Sequence, residues 1–274
     1  MKISMWSSFY RDLSPKEMVL RIQKNGWTYS ELSDEHGAML LQMGDPKTMG
    51  QEFKAFADSH QVQFPQGHLW LACPLCAPDE DMVLRTLESW LDLFYAAGVR
   101  RAVLHCDSDS FPEGTSKQTM LETNVDRVRK LARYLSGTDM ILCLENLLKI
   151  TDSVDELLQI IHAVGGPNLG ICLDTGHLNL AGHDQADFIH KAAPYLKALH
   201  IADNDGSSDQ HIMPFGRGKV DFVKVVKSLA QIQYDGVYNF EIGGETGCPL
   251  AIRDLKMHYL KAVMKEMEAM VDGL

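Results

Sequence analysis

Short apolar runs alternate with amphipathic segments from one end of this chain to the other, and this alternation limits the folds open to it. Runs such as Met140–Leu144 are almost continuously apolar, which is typical of strands buried on both faces. Strands of that kind form parallel sheets covered by helices, so the sequence predicts an α/β fold. The predicted strands are Lys2–Ser7, Trp27–Leu32, His68–Ala72, Arg101–His105, Met140–Glu145, Leu169–Asp174, Leu196–Ile201 and Gly236–Ile242.

Helix signals lie between the apolar runs. Ser14–Glu17 reads as a capping box with proline at the first helical position. A second capping box, Ser153–Glu156, opens a helix that the pair Gly165–Gly166 should end. The last predicted helix covers about Leu250–Val271. Helices therefore alternate with the predicted strands.

The number of predicted strands selects one architecture among the α/β folds. A (β/α)₈ barrel needs roughly 250 residues, and this chain has 274. No G-x-G-x-x-G motif follows the first strand, which argues against a doubly wound dinucleotide-binding sheet. No linker or low-complexity stretch divides the chain. We therefore predict a single (β/α)₈ TIM barrel domain that covers residues 1–274.

Charge and composition exclude several classes of function. The formal net charge is −11, whereas a protein that coats nucleic acid needs clustered lysine and arginine. No apolar run approaches the ~20 residues that span a bilayer, and the N-terminus does not resemble a signal peptide. Six cysteines in so long a chain do not indicate a disulfide framework, and we interpret Cys73 and Cys76 as ordinary thiols. These features predict a soluble cytoplasmic protein without a membrane partner.

Polar residues recur at or near the carboxyl ends of the apolar runs. In a barrel these ends converge on one mouth, where active sites are built. Glu145, Asp174, His200 and Glu241 come from four successive strands and would offer oxygen and nitrogen ligands to one divalent cation, namely Mn²⁺, Mg²⁺, Co²⁺ or Zn²⁺. The alternative is that each residue forms a separate ion pair. The strand-end residues are Glu31, His68, His105, Glu145, Asp174, His200 and Glu241.

Motifs at these positions resemble the xylose-isomerase-like barrel superfamily over essentially the whole chain. That superfamily includes sugar and sugar-phosphate isomerases and epimerases, inosose-processing enzymes, and apurinic endonucleases of the endonuclease-four type. The motifs are Gly26–Leu32, Leu144–Asn146, Leu173–His177, His200–Asn204, Asp209–His211, Gly216–Phe222 and Phe240–Ile242.

The resemblance implies roles for individual residues. Glu145, Asp174, His200 and Glu241 match the ligands of the single-metal enzymes, and His177 matches a histidine that contacts substrate or binds a second metal. These five and four further residues match the positions of the ligands of the three-zinc cluster in the endonucleases. Binding of additional zinc ions therefore remains an alternative. Glu31 is a candidate for contact either with the substrate or with a residue that binds the metal. The further residues at zinc-cluster positions are His68, His105, Asp209 and His211.

Departures from the family patterns bear on the choice between activities. After Asn146 the chain continues as Leu147–Ile150. It therefore lacks the Thr-Ala-Gly loop of the endonucleases and the Asn-Arg that follows the glutamate in typical ketose 3-epimerases. The first difference and the acidic balance argue against a DNA substrate, and the second leaves the sugar undefined.

Together these observations predict a divalent-metal-dependent sugar or sugar-phosphate isomerase or epimerase. Glu145 and Glu241 would bind the metal and also exchange a proton on opposite faces of a sugar or polyol, through an enediolate. Two alternatives remain, a zinc-dependent endonuclease at abasic sites and a barrel that binds a polyol without catalysis. The resemblance also implies a homo-oligomer.

Overall fold

A computed structural model describes residues 1–272, and in that part of the chain eight parallel strands form a nearly closed barrel. The strands are β1 (Lys2–Trp6), β2 (Tyr29–Leu32), β3 (Gln63–His68), β4 (Arg101–Leu104), β5 (Ile141–Glu145), β6 (Leu169–Asp174), β7 (Leu196–His200) and β8 (Val237–Phe240). They pair in the order β7-β6-β5-β4-β3-β2-β1-β8. A parallel bridge between Ile201 and Phe240 links β7 to β8 and completes the ring. The predicted (β/α)₈ barrel is confirmed.

Helices cover the outside of the barrel, and none within residues 1–272 combines the length and apolar character needed to cross a membrane. Both predicted capping boxes are present, at Ser14 with Glu17 and at Ser153 with Glu156. The helices are α1 (Pro15–Lys24), α2 (Asp34–Met43), α3 (Pro46–Ser59), α4 (Glu80–Ala97), α5 (Lys117–Tyr134), α6 (Val154–Val164), α7 (Thr175–Ala181), α8 (Gln185–Ala192), α9 (Phe222–Gln231) and α10 (Leu250–Asp272), with a 3₁₀ helix at Ser7–Tyr10.

The third strand was predicted in the wrong place. The apolar run His68–Ala72 suggested a strand, but β3 ends at His68, and Leu69–Ala72 belongs to the loop that follows. The observed strand contains Pro65, Gln66 and Gly67 and therefore lacks an apolar signal. Its inward residue Gln66 is fully buried, and this is tolerated because the Gln66 amide donates to the buried Glu31 at 3.0 Å. The other seven strands agree with the prediction to within two residues at each end.

Every second strand residue points into the barrel, and we group these inward residues by their position along the strands into a middle, a mouth and a floor layer. The middle layer has an apolar half, with Val103, Cys143, Cys172 and Ala198 packed together. Its other half is a polar network of Ser4, Glu31, Gln66 and Asn239. Two residues further along the strands lies the mouth layer, Trp6, His68, His105, Glu145, Asp174, His200 and Glu241. Two residues earlier lies the floor layer, Lys2, Tyr29, Arg101, Ile141, Gly170 and Val237.

Candidate metal and active site

Four buried side chains of the mouth layer meet around one point. Glu145, Asp174, His200 and Glu241 each offer a ligand atom, and these atoms lie within 4.8 Å of one another. Their exposed fractions do not exceed the 5% of Glu241, so water hardly reaches them. The strand-end pattern therefore brings together the four residues that were predicted as metal ligands.

The donor set of this cluster fits a divalent cation. Glu145 Oε1, Asp174 Oδ2 and His200 Nδ1 are buried and find no hydrogen-bond partner among residues 1–272. His200 Nδ1 lies 3.3 Å from Glu145 Oε1 and 3.2 Å from Glu241 Oε2. Buried polar atoms without partners are costly, and a cation bound by carboxylate oxygens and one imidazole nitrogen would satisfy all three.

His200 is oriented by Glu31, one layer below the cluster. His200 Nε2 donates to Glu31 Oε1 at 3.1 Å, and this hydrogen bond orients the ring so that Nδ1 faces the cluster. The other oxygen of Glu31 accepts from the amides of Gln66 and Asn239. Ser4 donates to the Asn239 side-chain oxygen at 2.8 Å. Glu31 is fully buried and bonded at both oxygens, so the structure places it beneath the site and away from the open cavity.

His68 and His105 gather around the second oxygen of Glu145. Glu145 Oε2 lies 3.0 Å from His105 Nε2 and 3.4 Å from His68 Nε2, and the two nitrogens are 3.1 Å apart. His68 Nδ1 donates to the Leu69 carbonyl at 2.8 Å, which turns Nε2 toward Glu145. His68, Glu145 and His200 form a second group with metal-ligand spacing.

His177 and His211 face each other across Asp209. Their Nε2 atoms lie 3.2 Å and 3.1 Å from Asp209 Oδ2. Their Nδ1 atoms donate to the carbonyls of Asn146 at 3.1 Å and of Glu241 at 2.8 Å. Backbone contacts thus fix both rings with Nε2 toward the carboxylate. Asp174, His177 and His211 form a third group with metal-ligand spacing.

The backbone around Asp174 explains how this loop is held. Asp174 caps α7, since its Oδ1 accepts from the His177 N–H at 2.6 Å, which leaves Oδ2 free to face the cluster. Asn146 pairs with the Asp174 backbone, accepting its N–H at 2.7 Å and donating to its carbonyl at 3.0 Å. These two bonds tie the end of β5 to the end of β6.

Burial and neighbouring charges shift the pKa values of several groups at the mouth. Burial raises the pKa of Asp174 to about 7. Burial also opposes ionisation of Glu241, but His200 outweighs it and lowers the pKa of Glu241 to about 2. The pKa of His68 would fall on burial, yet the hydrogen bond and charge of Glu145 raise it to about 9. In the same way Asp209 and Glu241 overcome burial and raise the pKa of His211 to about 10.

A cavity of about 350 Å³ opens beside the cluster, above the ends of β3, β4 and β5. Its size suits a small molecule. His68, His105, His177 and Asp209 line its polar side, so it reaches the metal-ligand groups. The cavity is otherwise mixed in character, with an apolar wall that suits the C–H faces of a sugar. That wall comprises Leu69, Trp70, Leu71, Pro74, Leu75, Leu104, Leu147 and Leu148.

Sequence reasoning missed two polar residues near the mouth. Asp34 Oδ1 and Glu35 Oε2 are buried and unbonded within the described part of the chain, as is Trp6 Nε1. Burial, together with the neighbouring charge of Glu35, raises the pKa of Asp34 to about 6. The segment Ser33–Glu35 directly follows β2, so its position after a strand was the available signal.

Comparisons with known proteins agree with this fold. Residues 19–267 match the family described as xylose isomerase-like TIM barrel. An uncharacterized protein of Methanocaldococcus jannaschii is 31% identical over 131 residues, which cover 44% of this chain and 43% of that protein. A D-psicose 3-epimerase of Enterocloster bolteae is 26% identical over 154 residues, 53% of this chain and 49% of the enzyme. The chain thus spans about half the length of the curated relatives it matches.

A solved structure extends the likeness to the whole fold. The crystal structure of a D-tagatose 3-epimerase-like protein superposes with a TM-score of 0.80 at 20% identity and covers 100% of this chain and 99% of that one. At this identity the likeness shows the fold. Because the family match covers most of the chain, the protein belongs to the xylose isomerase-like TIM barrel family.

Proposed function

We propose that this protein is a divalent-metal-dependent isomerase or epimerase of a sugar or sugar phosphate. The observation that carries the proposal is the buried cluster of Glu145, Asp174, His200 and Glu241, in which three of the ligand atoms make no hydrogen bond within residues 1–272. The cavity beside it has the size and mixed lining that a sugar or polyol requires. The name of the Enterocloster bolteae relative, a D-psicose 3-epimerase, supports the same class.

Glu145, Asp174, His200 and Glu241 are the residues that would hold the metal. Bound there, a divalent cation would polarise the carbonyl and hydroxyl oxygens of the sugar and so acidify the adjacent C–H group. Mn²⁺, Mg²⁺, Co²⁺ and Zn²⁺ all accept such mixed oxygen and nitrogen ligands.

Glu145 and Glu241 are the proposed pair of bases. Glu145 ends β5 and Glu241 follows β8, so they approach the centre of the mouth from different directions, with His200 within 3.3 Å of both. One carboxylate would remove the proton from carbon on one face of the sugar, giving an enediolate. The other would return a proton on the opposite face. Return to the same carbon inverts its configuration, as in an epimerase, and return to the neighbouring carbon shifts the carbonyl group, as in an isomerase.

His68, His105, His177, Asp209 and His211 surround the cavity and the cluster. In the proposed enzyme the residues that line the cavity bind substrate hydroxyl groups, since each imidazole can donate or accept a hydrogen bond. Glu31 has a positioning role, because it contacts His200 and has no free oxygen to offer a ligand.

A second candidate function, zinc-dependent cleavage at abasic sites in DNA, has a specific observation in its favour. Two further groups of residues at the mouth have the spacing of metal ligands, so three groups there could each hold a cation. Against this activity stand the net charge of −11 and the loop Leu147–Ile150, which lacks the endonuclease pattern. In the part of the chain that the structure describes, the cavity lining also carries Asp107, Asp109 and Asp209 but only Lys149 as a permanent cation. A mere polyol binder, the third alternative, has no need of two opposed carboxylates.

Metal content and proton exchange test the proposal together. Elemental analysis of the purified protein should find one divalent cation per chain, whereas three zinc ions would favour the nuclease. Incubation with a panel of ketoses and ketose phosphates in D₂O should place deuterium on the substrate carbon, detected by NMR. Cleavage of an abasic oligonucleotide without any deuterium exchange would refute the sugar enzyme.

Variants of the two glutamates connect the chemistry to the site. Glu145→Gln and Glu241→Gln should each remove the exchange almost completely while the barrel stays folded, as circular dichroism reports. The matched control is Glu52→Gln on the exposed surface of α3, which changes the charge equally and should retain full exchange. Near-normal exchange in both site variants would contradict the assignment.

A further inference from the structure

A second cavity, of about 290 Å³, opens at the opposite end of the barrel, where the strands begin. Among residues 1–272 its lining carries four permanent cations, Lys2, Arg100, Arg101 and Lys197, and a single carboxylate, Asp235. Such a concentration is unexpected in a chain whose formal net charge is −11. Neither the proposed chemistry at the mouth nor the family resemblance uses this end of the barrel.

Arg101 belongs to the interior of the barrel. It begins β4 two residues before Val103, which packs in the apolar half of the middle layer, so both side chains point inward. Arg101 pairs in register with Ile141, another floor residue. Its Nη1 donates to the Arg100 carbonyl at 2.9 Å, and no ion pair joins it to a carboxylate of residues 1–272.

Lys197 is directed into the cavity by two local features. The register between β6 and β7 shifts there, from Ile171 opposite Leu196 to Cys172 opposite Ala198, so Lys197 is an extra residue in its strand. Irregularities of this kind redirect side chains. The stem of Lys197 crosses the space above Gly170, where a Cβ atom would lie 2.7 Å from Lys197 Cγ. The chain thus leaves room for this one ammonium group.

The remaining two cations differ in how well they are neutralised. Arg100 pairs with Asp139 at 2.8 Å and stacks on the ring of Tyr95 at 4.3 Å, so its charge is already compensated. Lys2 donates only to the backbone carbonyl of Asp235, at 3.2 Å. Within residues 1–272, Lys2, Arg101 and Lys197 therefore converge on one cavity without a carboxylate in ion-pair contact. Like charges held together repel one another, and a bound anion would relieve that repulsion.

We propose that this floor cavity binds a phosphate-bearing small molecule. A guanidinium group presents paired N–H donors that match phosphate oxygens, and the neighbouring ammonium groups add charge without demanding one direction. Tyr29 and Gln63 lie on the same lining and supply neutral hydrogen-bond donors. The volume suits one phosphate group with a small organic part.

Calorimetric titration at constant ionic strength tests this site on the full-length protein. The probes are inorganic phosphate, glucose 6-phosphate and AMP, and at least one should bind with a dissociation constant near or below about 1 mM. Equal affinity for the three would define a site for the phosphate group alone. Tighter binding of one organic phosphate would identify the source of that group. Absence of binding by all three would overturn the proposal.

Charge-removing variants locate the binding. Lys197→Met keeps the stem above Gly170 and removes the ammonium group, and Arg101→Gln provides a second, independent loss of charge. Each should weaken phosphate binding at least about tenfold, as expected for a lost charge-assisted hydrogen bond. The control is Lys224→Met in the first turn of α9, at the mouth side of the barrel, which should bind as the unaltered protein does. Undiminished binding in both floor variants would place the anion at the mouth and refute the site.

Discussion

Replacing Glu31 by glutamine tests whether the layer beneath the cluster controls metal binding. The two side chains have nearly the same shape, so the barrel should tolerate the change sterically. However, Glu31 accepts hydrogen bonds at both oxygens, from His200 at one and from Gln66 and Asn239 at the other. The amide group of glutamine must turn its NH₂ toward one of these donors. Either orientation leaves a donor facing a donor inside the barrel.

The expected magnitude follows from these contacts. A hydrogen bond to a charged group is worth about 1.5–3 kcal/mol, and a buried donor left without an acceptor costs about 1–3 kcal/mol. If the NH₂ group faces His200, the imidazole loses the bond that orients Nδ1. Loss of such a supporting contact typically weakens metal affinity about 10–100-fold. Glu31→Gln should therefore lower both stability and metal affinity.

Two measurements separate a positioning role from a merely structural one. Titration of the metal-free protein with Mn²⁺ gives the affinity, and thermal unfolding gives the stability. At saturating metal the variant should regain much of its turnover, because Glu31 does not contact the cavity. A lower unfolding temperature with unchanged Mn²⁺ affinity would refute the reasoning. Ser4→Ala, one hydrogen bond further from His200, should change the affinity much less.

Three further predictions concern the whole barrel. Gly244→Ala would place Cβ 1.7 Å from the Phe9 carbonyl and should cost at least about 1–3 kcal/mol in urea unfolding, whereas Gly247→Ala, with open space around it, should be nearly neutral. Burial disfavours the charged form of Asp254, but hydrogen bonds from Asn25 and others outweigh burial and lower the pKa of this carboxyl group. The ionised group therefore stabilises the folded protein above the unfolded pKa of about 3.9, and this stabilisation is lost as the pH falls through the lower folded pKa. Asp254→Asn should therefore make stability depend less on pH below about 4, in acid titrations followed by circular dichroism. Chelation should lower the unfolding temperature, since a metal at 100 times its dissociation constant adds about 2.7 kcal/mol.

The barrel could be predicted because most of its strands consist largely of apolar residues. Runs such as Ile141–Leu144 carry a strong signal, since parallel strands are covered on both faces. β3 has no such run, because its inward residue Gln66 is polar and Pro65 interrupts it. The apolar residues after it, among them Trp70, serve the cavity wall instead. An inward-facing polar residue such as Gln66 removes the apolar pattern by which a buried strand is predicted. Its burial is understood once its hydrogen bond to Glu31 on the neighbouring strand is known.

The candidate ligands could be predicted because they occupy one position in a repeating geometry. Each lies two residues after a middle-layer residue, as Glu145 follows Cys143 and Asp174 follows Cys172. Asp34 and Glu35 were not predicted as residues of the mouth because they belong to the first turn of α2, outside this repeat. Residues on helix starts and loops reach the mouth through the course of the backbone, which periodicity alone does not reveal.

The division of the middle layer into two halves accounts for where the four candidate ligands come together. His200 follows Ala198 in the apolar half, yet its Nε2 reaches Glu31 in the polar half, so one imidazole spans the barrel interior. An apolar layer throughout would leave that N–H buried without an acceptor, and a polar layer throughout would admit competing partners for Nδ1. A middle layer with one polar and one apolar half gives His200 Nε2 an acceptor in Glu31 and leaves Nδ1 available to a cation. Asn239→Leu removes a donor to Glu31 and should therefore weaken Mn²⁺ binding in titrations of the metal-free protein, although it changes none of the four proposed ligands.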